Sequence, residues 1–273
     1  MLRPTPTLLR KLAPRSLFAI VLAGAAIPAA VWAQDSGEGA VTRVAAGVQV
    51  APSYPGADHV SARPFGSIAR ASGDAPFDFA TPDGTLEPTL FHGGGFALGP
   101  SVAFQGSRSA SDTHDKLARV GSTVELGGFA SYRVLPSFRL TAEVRHGVNG
   151  HKAWIGTIGS DYIVADGDRS SVFIGPRATF TESKFNRAYF GVTQAEAATS
   201  GLAAYRPDGG LESVGVNLGL YRIIAGPFGI YAYAGYNRLV DDAGRSPVVR
   251  AFGSRDQASG GLALSYTLGR RAR

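Results

Sequence analysis

Residues 122–146 read STVELGGFASYRVLPSFRLTAEVRH, and this stretch decides the fold. Apolar and polar side chains alternate through residues 122–133 and again through residues 138–146. Because successive side chains of a β-strand point to opposite faces, the alternation predicts two strands, each with one apolar and one polar face. The short link 134–137 joins the two strands as a β-hairpin.

The same alternation extends along most of the chain, and helical periodicity is nearly absent. The predicted strands cover residues 43–50, 60–71, 75–80, 85–91, 94–105, 122–133, 138–146, 153–165, 170–182, 212–221, 227–239 and 257–268. Short connections are predicted near 72–74, 92–93, 134–137, 166–169 and 223–226. Longer connections are predicted near 51–59, 81–84, 106–120, 147–152, 183–210 and 240–256. Short turns that alternate with long loops are typical of membrane β-barrels. We therefore predict an all-β fold, a closed antiparallel up-and-down transmembrane β-barrel of about twelve strands.

Residues 1–33 have the pattern of a secretory signal peptide. Four basic residues between Arg3 and Arg15 precede an apolar run from Leu17 to Ile27, which is shorter than the roughly 20 residues that a transmembrane helix needs. Small residues then lead to Ala33, where we predict cleavage. The barrel domain is predicted to cover residues 34–273.

A soluble β-sandwich is the alternative fold, since its strands alternate in the same way but turn their apolar faces inward. The predicted export signal, the alternation of loop lengths and the tyrosine-rich strand 228–239 favour the barrel. In a barrel the polar face would line the interior. The charged residues on that face are Glu125, Arg139, Glu143, Arg145 and Arg177. They predict either a lumen that favours anionic solutes or, as we prefer, an ionic network that fills a narrow barrel.

Composition excludes several other kinds of function. The 273 residues include 36 glycines. They include no cysteine, and this absence rules out disulfides, zinc–thiolate sites and cysteine nucleophiles. The net charge of +6 contains +4 from residues 1–33, so the rest of the chain has no basic face for nucleic acid. We expect no nucleic-acid partner.

None of the five histidines has a metal-ligand spacing to a carboxylate or to a second histidine. His146 and His151, with Glu143 nearby, form the best arrangement for barrel-rim catalysis. We nevertheless expect no catalytic site, no metal and no cofactor, because the sequence contains no H-E-x-x-H motif, no G-x-S-x-G motif and no phosphate-binding loop.

The last third of the sequence carries a series of short motifs, most of them in the predicted long loops. They are Tyr189-Phe190-Gly191-Val192, Ser200-Gly201, Tyr205, Gly209-Gly210-Leu211, Tyr236-Asn237-Arg238-Leu239, Asp241-Asp242-Ala243 and Ser246-Pro247-Val248-Val249. Their order resembles the MltA-interacting protein (MipA)/OmpV family of Gram-negative outer-membrane proteins, and the resemblance covers the whole predicted mature chain.

The resemblance implies an outer-membrane scaffold that links a lytic transglycosylase, which degrades murein, to a penicillin-binding protein, which synthesises it. A passive channel for small solutes, with anions favoured, is the alternative function. The loop 189–211 is expected either to fold inward as a constriction or to present a partner surface. For Asp241 and Asp242 a solvated loop is the preferred interpretation over a divalent-cation site.

Overall fold

The computed structural model describes residues 41–71, Phe77 and residues 85–269. The predicted signal peptide, the predicted strand 75–80 and residues 270–273 lie outside the described residues.

The described part of the chain contains eleven β-strands, four short α-helices and one turn of 3-10 helix at Ser111–Thr113. The strands are β1 (Val41–Pro52), β2 (Val60–Ala71), β3 (Phe91–Gly93), β4 (Phe96–Gln105), β5 (Thr123–Leu135), β6 (Phe138–Gly147), β7 (Trp154–Asp166), β8 (Ser170–Thr181), β9 (Gly210–Ala225), β10 (Phe228–Leu239) and β11 (Asp256–Leu268). The helices are α1 (Ser183–Phe190), α2 (Gln194–Ser200), α3 (Asp241–Arg245) and α4 (Pro247–Phe252). In this part of the chain no helix combines the length and the apolar character that crossing a bilayer requires.

All eleven strands form one antiparallel sheet in the order β2-β1-β11-β10-β9-β8-β7-β6-β5-β4-β3. The sheet is curled: eight strands lie between β2 and β4 in this order, and yet these two strands approach each other. Arg63 of β2 donates a hydrogen bond to the carbonyl oxygen of Phe104 in β4, at 3.2 Å. Apart from β3, each strand has 10 to 16 residues, which is enough to cross the apolar part of a bilayer at a tilt.

Ten of the predicted strands are present with bounds close to the prediction, and the antiparallel all-β fold is confirmed. The prediction of a continuous strand at 85–91 is wrong. Leu86 makes only an isolated bridge to Val102, and regular pairing begins at Phe91. Pro88 explains the interruption, since proline has no N–H to donate to a ladder. The turn predicted at 92–93 lies two residues later, at Gly94 and Gly95.

The two faces of the sheet have the opposite polarity to those of a soluble protein. Large apolar side chains cover the outer face, with Leu264 69% and Leu262 61% exposed. The inner face buries polar and charged side chains such as Asp161, which is completely buried, and Asn217. An apolar face of this extent is stable in lipid and not in water, so the soluble β-sandwich is excluded.

Glycine makes room inside the curled sheet. The ring of Phe173 in β8 lies directly over Gly219 in β9, where a Cβ atom would come within 1.8 Å of the ring. Phe173 is 1% exposed, so it fills the interior at a point where the neighbouring strand has no side chain.

Candidate functional site

A buried ionic network lies on the inner face of β5 and β6. The guanidinium of Arg145 donates from Nε to Glu125 at 2.9 Å and also forms an ion pair with Glu143. Arg145 and Glu125 come from facing strands, and Arg145 and Glu143 are two residues apart on one strand. The three side chains therefore share the inner face that the alternation in 122–146 predicts.

A second group of charges surrounds Asp161 in β7. One carboxylate oxygen accepts hydrogen bonds from Arg139, at 2.7 Å from Nη2, and the other accepts from Arg177 at 2.6 Å. Arg139 is the direct register partner of Asp161, whereas Arg177 reaches it diagonally from β8. Gly159 leaves the space for Arg177, since a Cβ there would lie 2.7 Å from the Arg177 Cδ. Two guanidinium groups thus share one completely buried carboxylate.

His151 joins this network to the loop end of the sheet. Its Nε2 lies 3.0 Å from Glu125, and its Nδ1 accepts a hydrogen bond from the backbone N–H of Ala153. The ring also packs edge-on against Phe185 of α1, with centroids 5.0 Å apart. His146 instead contacts the ring of Trp154, which is on the outer face, with centroids 4.7 Å apart. The structure therefore does not bring His146 and His151 together as a catalytic pair.

Five long loops meet at one end of the sheet and pack around a common apolar core, which we call the cap core. Its members are Tyr54, Ala57, Val120, Ala153, Ile155, Phe185, Tyr189, Phe190, Leu239, Ala243 and Val249. Tyr189 and Phe190 have no exposed surface. Burial raises the pKa of the Tyr54 hydroxyl to about 12, with further increases from the negative charges of Asp112 and Asp58. The segment 189–211 contains the last two residues of α1, the whole of α2 and the first residues of β9, and Tyr189 and Phe190 place its start in the cap core.

Hydrogen bonds to backbone carbonyls hold the cap core together across the loops. Arg108 donates to the carbonyl of Tyr189 at 2.6 Å and to that of Ala118 at 2.9 Å. Burial lowers the pKa of this guanidinium. Ser246 donates from its hydroxyl to the carbonyl of Phe190 at 2.7 Å and caps α4, whose first residue is Pro247. The Ser-Pro motif therefore joins the β10–β11 loop to α1.

Asp242 has a similar structural role at the edge of the cap. Its carboxylate accepts hydrogen bonds from the backbone N–H of Asp208 at 2.9 Å and from Arg245 at 2.7 Å. Tyr205 donates its hydroxyl proton to the Asp242 carbonyl oxygen at 2.9 Å. The hydrogen bond from Asp208 and the one from Arg245 hold the pKa of Asp242 below its usual range. Asp241 is exposed, and no three acidic or histidine groups among the described residues form a metal site.

The helix α2 begins with a capping box that the sequence contained. Thr193 accepts from the backbone N–H of Glu196, and the Glu196 carboxylate accepts from the backbone N–H of Thr193. The same carboxylate accepts from the backbone N–H of Ala118 in the β4–β5 loop, at 2.9 Å. Burial raises the pKa of Glu196, but the hydrogen bonds from Ala118 and Thr193 outweigh it, and the pKa lies below its usual value. The helix ends at Ser200, with Gly201 in the left-handed conformation at φ 76°.

The remaining motif residues also stabilise the loop end. Gly191 ends α1, where a Cβ atom would come within 2.6 Å of the Arg187 carbonyl oxygen. Arg238 pairs with Asp256 across β10 and β11 at the exposed surface. Tyr231 and Tyr233 point inward against Phe65, while Tyr236 is on the outer face. The motifs thus mark the places where the loops are held together.

Cavities of about 780, 300 and 240 Å³ lie in the interior. The largest is near the short turns, where Arg43 lies between the rings of Phe77 and Tyr221. The second includes Arg139, Glu143 and Arg177 in its lining.

Residues 44–268 match the family described as MltA-interacting protein MipA. The chain belongs to this family. The family and the exposed apolar face of the sheet together place this chain in the outer membrane of a Gram-negative bacterium, with its apolar face toward lipid. No curated protein sequence matches the chain.

Solved structures similar to the chain are membrane barrels. An outer membrane channel from Pseudomonas putida F1 is 13% identical over 86% of this chain and 99% of that chain, with a TM-score of 0.42. The translocator domain of the autotransporter NalP from Neisseria meningitidis is 12% identical over 87% of this chain and 91% of that chain, with a TM-score of 0.35.

The sequence identified five of the network residues but missed Asp161 and the role of His151. Asp161 alternates with the outward-facing residues Tyr162 and Val164, so the same pattern could have placed it inside. Arg108 lies in a loop without periodicity, and its contacts could not be read from the sequence.

Proposed function

We propose that this protein is a non-conducting outer-membrane scaffold. Its predicted partners are a lytic transglycosylase and a penicillin-binding protein. The convergence of five loops on one cap core carries this proposal, because the core occupies the loop end and buried ion pairs hold the strands together in the interior below it. Such an interior favours rigidity over solute passage. The family description, MltA-interacting protein, supports the transglycosylase as one partner.

The strand topology favours the short turns as the contact surface. In outer-membrane barrels the short turns face the periplasm and the long loops face outward. Murein enzymes work in the periplasm, so a scaffold would meet them through the turns at 136–137, 167–169 and 226–227. We further propose that the sheet closes into a barrel through its two edges, a closure that the approach of Arg63 to Phe104 supports.

We expect Arg169→Glu to lower partner recovery in a pull-down from periplasmic and membrane extract by about tenfold, since a charge reversal in an interface costs 1.4 kcal/mol or more. Arg169 is exposed in the β7–β8 turn. Lys184→Glu, an equivalent change of an exposed residue at the loop end, should leave recovery unchanged. Equal losses for both variants would argue against contact through the turns.

A passive channel is the second candidate, because Arg133, Arg139 and Arg177 line the 300 Å³ cavity and favour anions. We expect the wild-type protein to be silent in planar-bilayer recordings. Discrete conductance steps would contradict the non-conducting scaffold. A reversal of their anion preference by Arg139→Glu would support the channel.

A further inference from the structure

The cavity of about 240 Å³ lies beneath the cap core and is lined mainly by oxygen-bearing side chains. Two carboxylates, Glu125 and Glu212, line it together with the amides of Gln49 and Asn237. Glu212 is the third residue of β9, close to the loop end of the interior.

Glu212 differs from the other buried acidic residues because it lacks a cationic partner. It is only 7% exposed, and none of the ion pairs of the described residues includes it. Residues 72–76 and 78–84, which lie outside the described part, contain no basic residue in the sequence. Glu125, by contrast, has both Arg145 and His151 within 3.0 Å.

The cations near the cavity are already engaged. Arg145 bridges Glu125 and Glu143. Arg63 lines the cavity, but its guanidinium donates to the carbonyl oxygens of Pro52 at 2.9 Å, Ser53 at 2.8 Å and Phe104 at 3.2 Å. An uncompensated buried carboxylate is costly, so a mobile cation in the cavity would stabilise the folded protein.

We infer that this cavity binds a small organic cation through a protonated primary amine, with Glu212 as its counter-ion. An ammonium group offers three donors and no acceptor, which suits a site of carboxylate and amide oxygens. A divalent metal suits it less well, because no three acidic or histidine groups among the described residues converge on one point. The volume accommodates a short amine with a few retained waters.

The experiment is a thermal-unfolding titration of the refolded full chain in detergent, with ethylammonium chloride as the probe and sodium chloride at equal ionic strength as the reference. A ligand that binds only the folded state raises the unfolding midpoint, here by about 3 °C or more near saturation. In Glu212→Gln this rise should be lost. Asp208→Asn removes a carboxylate that is 84% exposed and should keep the full rise.

Two outcomes of the titration would overturn the inference. One is the absence of a midpoint rise in the wild-type protein, and the other is an equal rise in folded Glu212→Gln.

Wild-type protein supplies an independent test that needs no variant. Tetramethylammonium has the same charge but no N–H group and should give no rise, whereas a rise as large as that with ethylammonium would contradict a hydrogen-bonded ammonium. A rise of the unfolding midpoint with calcium chloride and not with ethylammonium would contradict the amine site and indicate a metal site.

Discussion

Asp161→Asn is expected to destabilise the protein by about 3–5 kcal/mol, the loss typical when one partner of a buried charge group is removed. Both carboxylate oxygens of Asp161 are in use, one by Arg139 and the other by Arg177, and all three side chains are buried. The neutral amide would remove the negative charge that the two guanidinium groups share at this position. Trp154 is the only tryptophan of residues 34–273, so its fluorescence can follow urea unfolding of the protein refolded in lipid vesicles.

Asp166→Asn is the matched control, since Asp166 is on the same strand but exposed, and its unfolding midpoint should stay at the wild-type value. The triple variant Arg139→Met, Asp161→Leu, Arg177→Met should recover much of the lost stability, because apolar replacement of a whole buried charge group is often neutral or stabilising. An Asp161→Asn protein that unfolds at the wild-type urea concentration would show that the group does not hold the interior together.

The strands were predictable because their information is local. Alternation in residues 122–146 fixes which side chains face inward, and a shift by one residue would turn every apolar side chain away from the lipid. The identity of the ion pairs was not predictable to the same degree. Arg139 meets Asp161 only because β6 and β7 pair in one particular register, which depends on contacts between strands.

The cap core could not be predicted from the sequence, for a different reason. Most of its residues come from five separate loops, and the others, Ile155 and Leu239, lie at strand ends; none of these loops carries a periodic pattern. The capping box at Thr193 and Glu196 was a readable signal for α2. Nothing local indicated that Phe190 would be completely buried or that Ser246 would bond its carbonyl group.

Phe190→Ala is expected to loosen the cap core while the sheet stays folded. Removing a buried phenylalanine side chain costs about 3–5 kcal/mol, and here the loss falls on the loops that pack around this core. The loop 182–209 contains Lys184 and Arg187, so trypsin should cut it in the variant much faster than in the wild-type protein. Gel electrophoresis of unheated samples should still show the compact band of a folded barrel.

Phe228→Ala provides the control, because Phe228 is 54% exposed at the turn end and is not part of the cap core. Its cleavage rate should match that of the wild-type protein.

The bilayer recording then connects the cap core to the proposed function. If Phe190→Ala conducts while the wild-type protein is silent, the cap core is what closes the interior. If the variant is cut rapidly but remains silent, the ionic network of Arg145 and Asp161 is by itself enough to block the interior. A variant that resists trypsin as well as the wild-type protein would contradict the role given to Phe190.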